Sequence, residues 1–151
     1  MGYIDDIRKM IGHYPLIMVG AGVLLTDAQG RLLLGKRADN GRWGLPGGAM
    51  EPGETTEEAA RREALEETGL TVGQMELFGV FSGPELFYIY PNGDQVYNVS
   101  VVYASSQTSG VLKGDGEHSR FHFFAPADIP EAISPPIRPI IQAWVAQQKR
   151  A

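Results

Sequence analysis

Between a glycine- and proline-rich loop and a run of extended apolar chain lies the segment 48–70, GAMEPGETTEEAARREALEETGL, with seven glutamates in 23 residues. Its local chemistry admits one conformation, a helix whose two ends are both encoded. Thr55, followed three residues later by Glu58, makes a capping box. Gly69 supplies the left-handed residue that closes a helix. On that helix, at about 100° per residue, Glu63, Glu66 and Glu67 project to one side. Like charges spaced i and i+4 cost an isolated helix roughly 0.2–0.5 kcal/mol per pair. Arg61 and Arg62 offset only part of this. Such carboxylates either form a solvated face or hold a hard cation such as Mg²⁺ or Mn²⁺, which takes oxygen ligands and keeps waters for substrate phosphates. A Glu-Glu pair alone favours the solvated face. The Gly-Gly loop upstream, the capped start, the glycine stop and the arginine beside the first carboxylate favour the cation.

The flanking pattern predicts an α/β protein. Residues 3–12 form a short amphipathic helix, with Ile4, Ile7 and Ile11 on one stripe. Residues 16–26 and 31–37 read as strands joined by the turn 27–30 into a hairpin. Residues 72–81 are extended. Residues 86–105 hold two strands around Pro91-Asn-Gly-Asp94, a hairpin turn. A polar loop at 110–116, a strand at 121–124 and a terminal helix at 139–148 complete the order. The sum is a mixed β-sheet covered by helices. Residues 1–151 are expected to form one domain, with 1–15 as an N-terminal helical extension.

With a net charge of -5, the chain has few spare cations, which weighs against nucleic acid or an anionic membrane as partner. An anionic substrate would need metal ions to mediate. The absence of cysteine excludes disulfides, thiolate metal sites and a cysteine nucleophile. No secretory signal, myristoylation pattern or membrane-length apolar run is readable, so cytoplasm is the expected compartment. The sequon Asn98-Val-Ser100 then reads as accidental.

Gly48, five residues, Glu54, seven residues, Arg62-Glu63-Ala64-Leu65-Glu66-Glu67-Thr68-Gly69-Leu70 resembles the signature of the Nudix hydrolases at every specified position. The preceding Trp43-Gly-Leu-Pro-Gly-Gly48 is similar to the loop that usually leads into that signature. The resemblance implies an α/β/α sandwich. It also implies hydrolysis of a pyrophosphate by metal-activated water, using Mg²⁺ or Mn²⁺, on a small nucleotide or diphosphate substrate. Glu63, Glu66 and Glu67 would be metal ligands, with the Gly48 carbonyl as another. Glu54 and Arg62 would aim them by hydrogen bonding. An acid outside the signature often completes the site or acts as base in this family. Glu117 is the candidate, with Asp115 and His118 as alternatives.

For the substrate, Arg37 is the expected phosphate contact, ahead of Lys36. Arg42 and Trp43 could touch phosphate or base, and Tyr88, Tyr90 or Tyr97 could stack on a base. Each tyrosine is more often a strand residue packing at an edge. His13, His118 and His122 lack metal-ligand spacing. Gly30-Arg-Leu-Leu-Leu-Gly35-Lys36 mimics a phosphate-binding P-loop, but Arg37 stands where Ser or Thr belongs, and a strand cannot curl its amides around phosphate. The proline that the family associates with ADP-ribose hydrolysis, sixteen residues after the signature, is Leu86 here, with Pro84 out of place. The tyrosine associated with dinucleoside polyphosphates would fall at Phe87. Nucleoside triphosphates, nucleotide sugars and CDP-alcohols stay open. An inactive sensor of the same fold would be expected to lack one of the carboxylates, and a prenyl-diphosphate isomerase would need a cysteine. A homodimer through the N-terminal segment or the 86–105 hairpin is compatible with the pattern but not required by it.

Overall fold

The computed structural model describes residues 2–150 except 115 and 117, with the backbone alone at 119. Two strands occupy its centre because both of their faces are apolar. β1 (Leu16–Leu25) sends Ala21, Val23 and Leu25 to one side and Leu24 to the other. β2 (Leu32–Arg37) likewise sends Leu33 one way, and Leu32 and Leu34 the opposite way. Strands buried on both faces need a cover on each. On one side lies α2 (Thr56–Thr68), which presents Ala59, Ala60 and Ala64. On the other lies α3 (Arg138–Arg150), which presents Ile140, Ile141 and Trp144. The α/β/α sandwich is formed by these layers, with α1 (Tyr3–Ile11) lying outside them.

The sheet is mixed. β1 runs parallel to β8 (Gln95–Ser105) and antiparallel to the short β4 (Gly47–Ala49). β6 (Glu76–Phe81) and β7 (Phe87–Ile89) both pair antiparallel with β8. β2 pairs with β3 (Trp43–Gly44) and β10 (His118–Phe124) in a second sheet. β5 (Leu70–Val72) and β9 (Thr108–Gly110) make a two-stranded ribbon.

One expectation needs correction here. β1 and β2 are not a hairpin ladder. The turn closes as predicted, with Asp27 N–H donating to the Arg31 carbonyl at 3.0 Å and a single bridge from Thr26 to Leu32. Beyond that bridge the strands part into different sheets, because each finds a longer partner elsewhere. The 91–94 hairpin turn forms as expected: Tyr90 N–H donates to the Asp94 carbonyl at 2.9 Å. Among the described residues, no helix is long and apolar enough to cross a membrane.

Candidate active site

Both ends of α2 are held as the sequence requires. Thr55 Oγ1 accepts from Glu58 N–H at 3.1 Å, and Glu58 Oε1 accepts from Thr55 N–H at 2.9 Å. Gly69 closes the helix at φ 78°, donating to the Leu65 carbonyl at 2.9 Å. The small Ala59, Ala60 and Ala64 let the helix lie close on the sheet, which turns the glutamate face toward β4. Arg61 clasps the chain beyond the helix by donating to the Val72 and Gly73 carbonyls.

Arg62 is the hub of the site. Its Nε and Nη2 grip the two oxygens of Glu54 at 2.5 and 3.0 Å, a bidentate pair. Its Nη1 reaches Glu63 at 2.9 Å and Glu66 at 3.2 Å, and its Nη2 also donates to the Ala49 carbonyl at 3.2 Å. The Arg62 hydrogen bond holds the Glu54 carboxyl below its usual value. Glu63 behaves oppositely. Burial pushes its carboxyl above the usual value, against the pull of Arg62, and the Glu66 charge adds to the rise. Glu67 turns to the loop and accepts from Gly47 N–H at 2.9 Å. Gly48 approaches the helix closely: a Cβ there would stand 2.7–2.8 Å from the Glu63 carboxyl group.

The donor set fits a hard divalent cation in its chemistry. It is all oxygen, and it includes a carboxylate whose charge burial disfavours and a cation would restore. Among the described residues, however, no three acidic or histidine side chains converge on one point as they stand. Arg62 and Gly47 take the oxygens that an ion would compete for.

Beside this cluster a cavity opens between the first sheet and α3. Its floor is one face of β1 and β8, where Met18, Gly20 and Gly22 lie beside Asn98, Ser100 and Val102. Tyr88 and Tyr90 line it as well, their rings perpendicular at 5.0 Å. Arg37 stands on its rim with one guanidinium edge on Asp39, Nε and Nη2 donating to its two oxygens at 3.0 and 2.9 Å. His118 lines it too, its ring 5.0 Å from Phe121. Glu67, Gly47 and Gly48 belong to both the cluster and the cavity wall.

Three expected substrate contacts lie away from the cavity. Trp43 is in the core at 8% exposure, edge-on to Phe124 at 5.0 Å, because β3 turns it inward toward α3. Tyr97 is on the opposite face of β8 from Asn98, packed against Phe87 at 4.7 Å; strand alternation alone excludes it. Arg42 is exposed and serves the loop through its backbone, its carbonyl accepting from Arg37 N–H at 2.9 Å. Lys36 does not line the cavity, and Glu117 and Asp115 lie outside the described residues. His122 packs against Phe124 at 4.7 Å, and His13 meets Asp94 at 2.8 Å, both away from the cluster. Asn98 and Ser100 were missed as cavity residues. Their signal was two polar side chains at alternate positions among the valines of β8. Asn98 is oriented by donating Nδ2–H to the Leu86 carbonyl at 3.0 Å.

This arrangement has relatives. A MutT-like protein of Streptomyces ambofaciens is 34% identical over 120 residues, 80% of this chain and 71% of its own. An ADP-ribose pyrophosphatase of Methanocaldococcus jannaschii is 36% identical over 130 residues, 83% of this chain and 72% of its own. The crystal structure of a MutT NUDIX hydrolase from Burkholderia pseudomallei superposes with a TM-score of 0.70 at 30% identity, covering 85% of this chain and 97% of that one. The NUDIX domain profile matches residues 16–144, and with the signature folded as described the chain belongs to the Nudix family of pyrophosphohydrolases.

Proposed function

We propose that the protein hydrolyses the pyrophosphate bond of a nucleoside diphosphate derivative or a nucleoside triphosphate by water attack on phosphorus, with Mg²⁺ or Mn²⁺ as cofactor. The observation that carries this reading is the continuity of cluster and cavity. Glu67, Gly47 and Gly48 stand at the junction of a carboxylate helix and a tyrosine-walled pocket, so a diphosphate could reach the acids while its base lies between sheet and tyrosines. Glu63, Glu66, Glu67 and the Gly48 carbonyl would hold the cation, and Glu117 is proposed as a further ligand or base. Bound there, a divalent ion would lower the pKa of water and neutralise phosphoryl oxygens. Glu54 and Arg62 fix the direction of the acids, which is the positioning part of catalysis.

Arg37, on the rim and carried by Asp39, is suited to a phosphate. Tyr88 and Tyr90 offer faces or edges to a base, and Asn98 and Ser100 offer polar partners to its edge. The relatives' names include a MutT-like protein, an ADP-ribose pyrophosphatase and RNA pyrophosphohydrolases. Leu86, where the family's ADP-ribose hydrolases are expected to carry proline, weighs against ADP-ribose and leaves nucleoside triphosphates, nucleotide sugars and CDP-alcohols open. The inactive-sensor alternative has no support from the residues, since Glu54, Glu63, Glu66 and Glu67 are all present. The protein is expected to work in the cytoplasm as a single domain, with a homodimer allowed. Hydrolysis of a panel of nucleoside triphosphates and diphosphate derivatives, with products weighed by mass spectrometry, tests the proposal. Glu66→Gln should lose about a hundredfold or more in kcat, as loss of a directly acting group does. Parental activity in that variant rejects the mechanism.

A further inference from the structure

Residues 2–15 precede the stretch that the NUDIX profile matches, yet they touch both sides of the site. At one end of α1, Tyr3 N–H donates to Glu51 Oε1 at 3.2 Å, and Gly2 lies against the same carboxylate. Glu51 N–H in turn donates at 2.9 Å to Glu54 Oε1, the carboxylate that grips Arg62. At the other end sits Arg8, whose side chain is only 11% exposed. Its Nη1 donates to the Gly12 and Tyr14 carbonyls at 2.9 and 2.7 Å, and its Nη2 to the Gln95 carbonyl at 2.7 Å. Its Nε stands 3.6 Å from Asp94 Oδ2. His13 Nδ1 meets Asp94 Oδ1 at 2.8 Å, and the His13 ring lies along Gly93. Asp94 closes the turn that carries Tyr90, and Tyr90 with Tyr88 lines the cavity.

The helix therefore spans from the carboxylate cluster to the tyrosine hairpin. We propose that residues 2–15 form a brace that sets the opening of the substrate cavity, with Arg8 and Asp94 as positioning residues for Tyr88 and Tyr90. This rests on the reading that the cavity takes the nucleotide. The reason is geometric. The 91–94 turn projects beyond the sheet, and β7 offers it only three paired residues. Arg8 supplies two further anchors, at the Gln95 carbonyl and Asp94 Oδ2, and His13 adds one at Asp94 Oδ1, while the Gly12 and Tyr14 bonds hold the Arg8 side chain to its own segment. Without them the hairpin would sample open states, and substrate would bear the cost of ordering it. The Arg62 cluster would be untouched, so the chemical step would keep its rate.

The test is steady-state kinetics with Mg²⁺, using dGTP and ADP-ribose as substrates, on Arg8→Gln, Asp94→Asn and the double variant. Arg31→Gln, at the remote Asp27 pair, serves as control. The brace predicts KM raised by about fivefold or more, the lower end of coupling between sites, with kcat held within about twofold. The double variant should fall short of the sum of the singles, since the Arg8–Asp94 contact is shared, while Arg8 also holds Gln95 and Asp94 also holds His13. Amide exchange at residues 88–95 in the substrate-free protein should accelerate in both single variants and not in the control. Unchanged KM in folded variants, or a fall in kcat at constant KM, overturns the brace. If Arg8→Gln fails to fold, Asp94→Asn carries the same readouts. If the wild type turns over neither compound, the functional reading has failed for those substrates, while the exchange rates still judge the brace: unchanged exchange overturns it.

Discussion

Adding one methyl group to either of two neighbouring glycines should separate catalysis from stability. In Gly48→Ala the new Cβ would stand 2.7 Å from Glu63 Cδ and 2.8 Å from each of its oxygens. Ordinary carbon contacts begin near 3.5 Å, so the carboxyl group must retreat by about 0.7 Å. Gly48 is not in the left-handed region, so alanine meets no backbone strain. What yields is the end of a flexible side chain, and the β1–β4 ladder stays intact. Displacing the proposed ligand Glu63 by that distance, and pulling it from Arg62 as it moves, should cost on the order of a hundredfold in kcat/KM. The overpacking penalty, about 1–3 kcal/mol, is partly cancelled by the entropy that alanine removes from the unfolded chain, about 0.4–1 kcal/mol. In Gly47→Ala the same methyl meets β1 backbone, 2.7 Å from the Ala21 carbonyl and 2.8 Å from Gly22 Cα. Backbone cannot swing aside, so β4 must peel from β1 and the fold bears the cost. Phosphate release with Mg²⁺ and thermal melting are the assays. Gly48→Ala should melt within about 5 °C of wild type and be nearly inactive, whereas Gly47→Ala should melt much lower. Full kcat/KM in Gly48→Ala, or equal melting of the two variants, would refute the reasoning.

Two further outcomes follow from the same geometry. Trp43→Ala empties a buried, edge-stacked ring and should cost about 3–5 kcal/mol in chemical denaturation; Tyr88→Ala, at the cavity, should leave melting nearly unchanged and raise KM. The reverse pattern would return Trp43 to the substrate. Glu54 has a carboxyl held below its ordinary value of 4.5 by Arg62. A depressed carboxyl contributes stability that is present above the unfolded value and lost as pH falls through the folded one. Wild type should therefore lose stability on acidification below about 4.5, and Glu54→Gln should flatten that limb; parallel acid limbs in denaturant melts would contradict the pairing.

Helix α2 was legible to the residue because its determinants are local. Thr55, Glu58 and Gly69 act within one turn of the ends they define, and the spacing of Glu63, Glu66 and Glu67 sets their common face without reference to the rest of the chain. The parting of β1 and β2 was not legible, since a turn specifies where two strands start together but not whether better partners draw them apart. The same limit explains the tyrosines. Tyr97 and Asn98 are adjacent in sequence and opposite in the sheet, so one step of parity decides which of them sees the cavity. That parity follows from the pairing of Met18 with Asn98, eighty positions apart. Trp43 was misjudged for a related reason: a loop rich in glycine looks exposed, yet its first aromatic is turned inward by Ile133 and Phe124. The α1 anchors lie furthest from local reading, joining Arg8 to Gln95 and His13 to Asp94 across 87 and 81 residues. Spacing thus names the acids proposed to hold a cation. Long-range pairing decides which aromatics line the cavity beside them.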